Sequence, residues 1–314
     1  MDATRAVLRA AVVGGGSVLL FAVVYLLAVR TVPGQRFEDA VLTAAEARAG
    51  TVSQERATRV LSIVTASTVA VVAAGVVAIG FLRRAPRLGL LAAAVILATV
   101  AATEVLQFWL PRPVLLHSGY RRDDQSFPSG HTATAMAMMC ALVLVVPYRL
   151  RWAALAASSL FAGGIAVATV VASWHRPSDT IGGDLIALAV CCAAVAWLAG
   201  RGGLRPVPRP VPKPLWALGG LYTLVTLAAT AVVLAVGPLD ARAGADATRG
   251  SALLTGRAIA LAGAGATALM LLLVLGRAET TGTGQGSPTG PGTGRGRPSR
   301  ARIAARNGPQ LRYR

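Results

Sequence analysis

The sequence predicts an all-α fold, a polytopic membrane helix bundle, from its composition and from the length of its apolar runs. Of its 314 residues, 54% are hydrophobic and only 14% are charged, whereas soluble domains contain about 25% charged residues. Several apolar runs are long enough to cross about 30 Å of hydrocarbon. We expect a core of six membrane helices followed by two additional C-terminal membrane helices.

Eight apolar runs, dominated by alanine, valine, leucine and glycine, predict these helices in chain order. They cover residues 7–29, 59–82, 88–110, 131–147, 152–173, 180–199, 215–236 and 253–275. Their small residues permit close contact between helices. The first run has no clear small-residue cleavage site, and we interpret it as a signal anchor. In the loop that follows it, the alanine-rich stretch 40–49 favours a short surface helix.

The basic residues predict the orientation of the spans and the class of partner. The net charge is +18, and a basic excess is often typical of nucleic-acid binding. Here the arginines cluster in the tail and in the loops after the second, fourth and sixth spans, whereas the alternate loops also contain acids such as Glu38 and Asp39. This pattern follows the positive-inside rule. We therefore expect a multi-pass cell-membrane protein with cytoplasmic N and C termini and no nucleic-acid partner.

Composition changes along the chain predict four regions. Residues 1–200 form the six-span core, and residues 201–214 form a Pro/Arg-rich cytoplasmic linker whose alternating prolines favour polyproline II. Residues 215–276 form a two-span appendage. Residues 277–314 are rich in Gly, Thr, Ser, Pro and Arg, which predicts a disordered basic cytoplasmic tail. The tail either contacts anionic lipid headgroups or is merely solvated.

Five cysteine or acidic side chains fall inside the apolar runs. Cys140, Cys191 and Cys192 are placed neither for a disulfide framework nor for a metal site, and we interpret them as small core residues. Glu104 and Asp184 are costly at membrane depth, so each is either functional or part of a buried pair.

Three short polar motifs lie where apolar runs begin or end: Leu110–Pro113, Phe127–His131 and Trp174–Asp179. With the N terminus inside, all three fall on the outer face of the membrane. The three histidines of the chain, His117, His131 and His175, fall on this same face. The clustering indicates a functional site at the outer surface.

The third motif suits a nucleophile. If a helix begins near Pro177, Asp179 lies in its first turn, where an acid is favoured by the helix dipole. Asp179 can accept a hydrogen bond from one nitrogen of His175, which fixes the tautomer and leaves the other nitrogen to attack. The alternative is a simple helix cap beside an interfacial histidine.

The other two motifs suit an anion. Ser129 can cap a helix and Gly130 lets the backbone approach a ligand, so that the helix N terminus binds an anion and His131 donates a proton to a leaving group. Arg112, between two prolines, can bind a phosphate with two parallel hydrogen bonds. The alternatives are an ordinary cap and a snorkelling arginine.

Together, Arg112-Pro113, Pro128-Ser129-Gly130-His131 and His175-x3-Asp179 resemble the type 2 phosphatidic acid phosphatase superfamily, membrane relatives of vanadium haloperoxidases, over residues 60–200. The resemblance implies that His175 attacks phosphorus to form a phosphohistidine, that Asp179 orients it and that His131 protonates the leaving oxygen. It also implies that Arg112, Ser129 and the Gly130 backbone hold the phosphoryl oxygens, with no metal and no cofactor.

The chain departs from the family at two phosphate-binding cations. Val105 stands where the first motif has a lysine, and Thr169 stands where the third motif has an arginine. Such cations contribute strongly to phosphoryl transfer. Arg176, Arg121 and Arg122 are the candidates to replace them, and Arg176 is included among the predicted phosphate-binding residues.

These features predict an integral membrane phosphatase, a phosphoric monoester hydrolase acting on a lipid phosphate or a (poly)prenyl phosphate or diphosphate at the extracytoplasmic face. One alternative is a lipid-phosphate phosphotransferase, and another is a catalytically impaired binding or transport protein on the same fold. A zinc site from His131, His175 and Asp179 and a serine hydrolase using Ser129 are weaker alternatives.

Overall fold

The computed structural model describes residues 3–116, 126–207, 213–236 and 245–281. His117, Arg121 and Arg122 lie outside the described residues, as do positions 208–212 of the predicted linker and 282–314 of the predicted tail.

The described residues are predominantly helical, and the helices follow one another with short connections. They are α1 (Ala3–Val24, continued by a π-helical turn at Tyr25–Val29), α2 (Val32–Glu46), α3 (Val52–Leu61), α4 (Ala66–Leu82), α5 (Pro86–Trp109), α6 (Gly130–Val145), α7 (Tyr148–Val171), α8 (Pro177–Gly200), α9 (Lys213–Val236) and α10 (Ala245–Leu275). Two short strands, β1 (Leu204–Pro206) and β2 (Ala278–Thr280), pair antiparallel.

The predicted fold class, an all-α polytopic membrane bundle, is confirmed. In the described part of the chain, five segments are long and apolar enough to cross a membrane: Thr4–Val29, Pro86–Trp109, Tyr148–Val171, Pro177–Gly200 and Gly250–Leu275. α6 is shorter, with 16 residues, and α9 coincides with the seventh predicted span.

The predicted span at residues 59–82 contains a bend. α3 and α4 meet at an angle of 51°, because the chain leaves helical geometry after Leu61 and Thr65 begins a new helix by accepting a hydrogen bond from the Thr68 N–H. The predicted surface helix at 40–49 is wrong in extent. α2 begins at Val32, and its residues Val41 and Leu42 are buried.

The core lies around α6 and α8. Nearly all of α6 is buried, and α8 packs against α1, α5, α6 and α10. Gly183 makes the α6–α8 approach possible, because a Cβ there would lie 2.7 Å from the Ser129 carbonyl oxygen and 2.8 Å from the Ala133 nitrogen. This close approach brings the N termini of α6 and α8 together.

Arginines fix the opposite end of the bundle. Arg151, 3% exposed, donates hydrogen bonds to the carbonyl oxygens of Val143 and Leu275 and to the Thr280 hydroxyl. Arg83 donates to the Thr280 carbonyl and to the Glu279 carboxylate. These bonds hold the segment at 278–280, where the sequence favoured disorder, and this segment in turn pairs with 204–206, where the sequence favoured polyproline II.

The last two helices contact each other, and α10 also packs against α2, α7 and α8. The contact with α2 and α7 is apolar and includes Val41, Val170 and Leu253. α10 therefore contributes to the environment of α2 and α8, the two helices that carry acidic groups of the candidate site described below.

Candidate active site

Asp179 is the residue around which the candidate site is built. It lies in the first turn of α8, after Pro177, and its side chain is fully buried. One carboxylate oxygen, Oδ1, accepts a hydrogen bond of 2.9 Å from Arg112 Nη2. The other, Oδ2, accepts one of 2.9 Å from the backbone N–H of Arg176 and lies 3.5 Å from His175 Nδ1. Asp179 thus connects the first and third motifs through Arg112, a contact that the sequence did not predict.

His175 is held by its Nδ1 atom. Nδ1 lies 3.1 Å from the Ser126 carbonyl oxygen as well as close to Asp179 Oδ2. Two acceptors on one side of the ring favour a proton on Nδ1, which leaves the Nε2 lone pair available for attack. The backbone N–H of His175 donates to the Thr169 carbonyl oxygen at 3.2 Å.

His131, the second residue of α6, lies beside this histidine. Its ring packs edge-on against Trp174, with the ring centroids 5.3 Å apart, and it is within electrostatic range of His175. The structure therefore brings the two predicted catalytic histidines to one place.

Ser129 and Gly130 form the start of α6. The Ser129 hydroxyl accepts from the Thr132 N–H at 3.3 Å, so the predicted cap is confirmed. The Ser129 N–H donates to the Asp179 carbonyl oxygen at 2.8 Å, which ties α6 to α8. A Cβ on Gly130 would meet nothing within 4 Å, so open space adjoins this helix N terminus.

Arg112 joins two buried carboxylates. Its Nη1 donates to Glu38 Oε2 at 2.7 Å and its Nη2 to Asp179 Oδ1 at 2.9 Å. Its Nε is buried without a hydrogen-bond partner among the described residues. Burial would lower the pKa of Arg112, but Asp179 and Glu38 outweigh burial and raise it. Arg112 therefore stays charged. Glu104 is exposed on α5, so it is not part of a buried pair.

Glu38 is a site residue that sequence analysis missed. It is 1% exposed, and its Oε1 accepts a hydrogen bond of 3.0 Å from the Ser178 N–H at the start of α8. Burial raises the pKa of the Glu38 carboxyl and the nearby Asp179 raises it further, whereas Arg112 lowers it in part. The sequence does contain a signal for the helix that carries Glu38. Thr31, two residues before Pro33, is a typical N-cap, and it caps α2 in the structure.

Arg176, predicted to bind phosphate, has an acidic partner of its own. Its Nη2 lies 3.1 Å and its Nε 3.3 Å from Asp39 Oδ1, and its Nη1 lies 3.4 Å from the Ser126 hydroxyl. The Arg176 side chain is buried. From the sequence, Asp39 and Glu38 indicated only that their loop lies on the outer face.

The two positions at which the chain lacks the cations of the family motifs, Val105 and Thr169, have different surroundings. Val105 is 56% exposed on α5. Thr169 is buried, and its carbonyl oxygen accepts the N–H groups of Trp174 and His175, so it shapes the turn that carries the nucleophile candidate.

The zinc alternative requires at least three ligating side chains that converge on one point. Within the described ranges, no group of three or more His, Cys, Asp or Glu residues is arranged to hold a metal ion. The zinc alternative therefore gains no support from this part of the chain.

Comparison with known proteins agrees with the motifs. No curated protein sequence matches the chain. A transmembrane PAP2-type phosphatidylglycerolphosphate phosphatase from Bacillus subtilis is similar in structure, with 21% identity, a TM-score of 0.48, and coverage of 58% of this chain and 93% of that one. The sequence model of the PAP2 superfamily matches residues 87–202, which include Arg112, His131, His175 and Asp179. Over residues 87–202 the chain is therefore similar to the PAP2 superfamily.

Proposed function

We propose that this protein hydrolyses a lipid phosphate at the extracytoplasmic face of the membrane, through a phosphohistidine on His175. The observation that carries the proposal is the Asp179 carboxylate, which contacts Arg112 through one oxygen and lies beside His175 Nδ1 through the other. A fixed imidazole with a free Nε2 beside a helix N terminus suits in-line attack on a bound phosphoryl group.

The proposed reaction has two steps. His175 Nε2 attacks the terminal phosphorus, the bond between that phosphorus and the lipid or bridging oxygen breaks, and His131 gives that oxygen a proton, so that a lipid alcohol leaves, or a lipid monophosphate in the case of a diphosphate. A water molecule, deprotonated by His131, then attacks the phosphohistidine and releases phosphate. Ser129, the Gly130 backbone and Arg112 would stabilise the charge on the phosphoryl oxygens, and Arg176 would support the turn through Asp39.

The substrate class follows from position and chemistry. The predicted spans put the site at headgroup depth, so a lipid can present its phosphate while its chains stay in the bilayer. Phosphatidate, phosphatidylglycerol phosphate and polyprenyl phosphate or diphosphate share the phosphoryl group that the site would bind. The similarity to a phosphatidylglycerolphosphate phosphatase makes that lipid one of the substrates to offer first.

The test is phosphate release from each of these four lipids by the purified full chain in detergent. We expect release from at least one lipid, and His175→Asn should lower it by at least about a thousandfold. Glu46→Gln, on the last turn of α2, is the control and should keep wild-type activity. Release at the same rate by wild type and His175→Asn would mean that His175 is not the nucleophile, and release by neither protein would favour the binding-protein alternative.

A second arm addresses the metal. Each proposed step is assigned to a side chain, so we expect release to change by less than about twofold after EDTA treatment. A loss of activity that zinc restores would return the zinc alternative.

A further inference from the structure

A cavity lies between α1, α8 and α10, inside the predicted membrane region. Its volume is about 570 Å³, and most of its lining is apolar, including Leu20, Leu188 and Met270. Three polar side chains, Ser17, Asp184 and Thr267, interrupt this lining. An apolar cavity with few polar groups is the usual form of a small-molecule site.

Asp184 is the unusual member of the lining. It is 1% exposed, and both carboxylate oxygens lack a hydrogen-bond partner among the described residues. A Cβ added to Gly263 of α10 would lie 3.0 Å from Asp184 Oδ2, so the carboxyl group is at the α8–α10 contact. Burying a polar group without a partner is costly, and a bound hydrogen-bonding group would remove that cost.

This cavity is distinct from the candidate active site. Asp184 follows Asp179 by five residues of α8, which corresponds to about 7.5 Å along the helix and about 140° around it. The two carboxyl groups therefore face different neighbours, Arg112 for Asp179 and Gly263 for Asp184. One wall is α10, which lies beyond the matched residues 87–202.

We propose that this cavity binds a long-chain alcohol, with its hydroxyl at Asp184 and its hydrocarbon chain along α1 and α10. A hydroxyl needs one acceptor and can itself accept one hydrogen bond, so it pairs with a carboxyl group in either protonation state. An ammonium group would require Asp184 to be ionised and would bury a charged pair at membrane depth, which costs more than burying a hydroxyl beside a carboxyl group.

There is room for a long chain. A second cavity of about 580 Å³ shares Val12 and Val13 with the first and continues to Arg9, Trp216 and Arg277. The two cavities together follow α1 from the level of Asp184 to the end of the bundle that is opposite the candidate active site. A molecule of this shape would place its only polar group where the carboxyl group lacks a partner.

The test is photolabelling of the full chain in lipid nanodiscs, with hexadecanol that carries a diazirine next to the hydroxyl. We expect adducts on α8 and α10 near Asp184 and Gly263. Unlabelled hexadecanol should compete at least about tenfold better than hexadecane. Asp184→Leu should reduce labelling by about tenfold, and Asp184→Asn, which keeps hydrogen-bonding capacity, should retain most of it.

Glu104→Gln is the matched control, because Glu104 is an exposed acid on α5, and it should leave labelling unchanged. Three results would each overturn the site: labelling of Asp184→Leu at the wild-type level, equal competition by hexadecane, or stronger competition by hexadecylamine than by hexadecanol. Binding is measured without turnover, so failure here is separate from failure of the proposed phosphatase activity.

Thermal unfolding adds a readout that does not depend on the probe. Without added alcohol, Asp184→Leu should raise Tm, because an unpartnered buried carboxyl group is replaced by an apolar group that the cavity can hold. A lower Tm would show that Asp184 already has a structural partner, and the ligand site would then be wrong.

Discussion

Arg112 lies in a cluster of charged side chains in which the acids outnumber the bases. Arg112 and Arg176 face three carboxylates, those of Glu38, Asp39 and Asp179. A phosphate dianion entering this set competes with Glu38 for Arg112 Nη1, since both terminal nitrogens of Arg112 already have acidic partners. Glu38 is therefore expected to control how strongly the site binds phosphate.

Glu38→Gln should lower KM for the lipid phosphate by about five- to tenfold, because a neutral amide competes less well than a carboxylate for the guanidinium. The glutamine oxygen can still accept the Ser178 N–H, so kcat should change little. Steady-state kinetics of this variant beside Glu46→Gln measure the effect. A higher KM in Glu38→Gln would mean that the Glu38 charge holds Arg112 in its productive position.

The pH dependence of KM follows from the same residue. Because burial and Asp179 raise the pKa of Glu38, this carboxyl group takes up its proton at a higher pH than an ordinary glutamate. Wild-type KM should therefore fall as pH decreases towards that raised pKa, whereas KM of Glu38→Gln should stay flat over the same range. Parallel profiles for the two proteins would remove Glu38 as the titrating group.

Much of this site could be predicted from the sequence, because the three motifs have short internal spacing. The i to i+4 relation of His175 and Asp179, and the Ser129 cap, depend on local helix geometry alone. Glu38 and Asp39 could not be placed, since their partners are more than seventy and more than one hundred residues away in the chain. Arg112 was predicted as a phosphate ligand, and its two acidic partners appear only in three dimensions.

At the scale of elements, the site depends on the contact between α6 and α8. Ser129 and Asp179 are joined by a backbone hydrogen bond, and Gly183 lies one turn further along α8, against the backbone of α6. Because the opposing atoms are backbone atoms, they cannot move without shifting the helix start that carries His131.

Gly183→Ala should therefore destabilise the protein by roughly 1–3 kcal/mol through overpacking and should also lower activity. Gly164→Ala on α7 is the control, since a Cβ there meets nothing within 4 Å, and it should stabilise by about 0.5–1 kcal/mol. Unfolding and phosphate release measured for both variants test the contact. Equal effects of the two substitutions would mean that the α6–α8 distance is not critical.

The helices with one long apolar run were predicted to within a few residues, as α5, α7 and α8 illustrate. The errors occurred where apolar content did not mark the boundary. The bend between α3 and α4 depends on the Thr65 cap, and α2 is amphipathic, so that its buried face becomes visible only against α10. Strands β1 and β2 depend on Arg83 and Arg151, which are distant in sequence.

At the scale of the whole molecule, the two ends of the bundle differ in chemistry. One end carries the histidines and Asp179, and the other carries Arg83 and Arg151 with the strand pair. The basic loops predict that the second end is cytoplasmic. Cys140, Cys191 and Cys192 are buried, so a single added cysteine can report the orientation with little background.

Ala49→Cys, in an exposed turn after α2, should react with a membrane-impermeant maleimide in intact cells, and Arg149→Cys, exposed at the start of α7, should react only after permeabilisation. The labelled fraction of each variant before and after permeabilisation is the measurement. The reverse pattern would place the candidate site in the cytoplasm.

If His175 is the nucleophile, it carries the phosphoryl group during turnover, and the position of that group can be measured. Wild-type protein would be mixed with the best lipid phosphate, quenched in alkali and analysed by peptide mass spectrometry. We predict one phosphoryl group on His175, and none on the same peptide of His175→Asn. A phosphoryl group on another residue, or normal phosphate release by His175→Asn, would exclude His175 as the nucleophile.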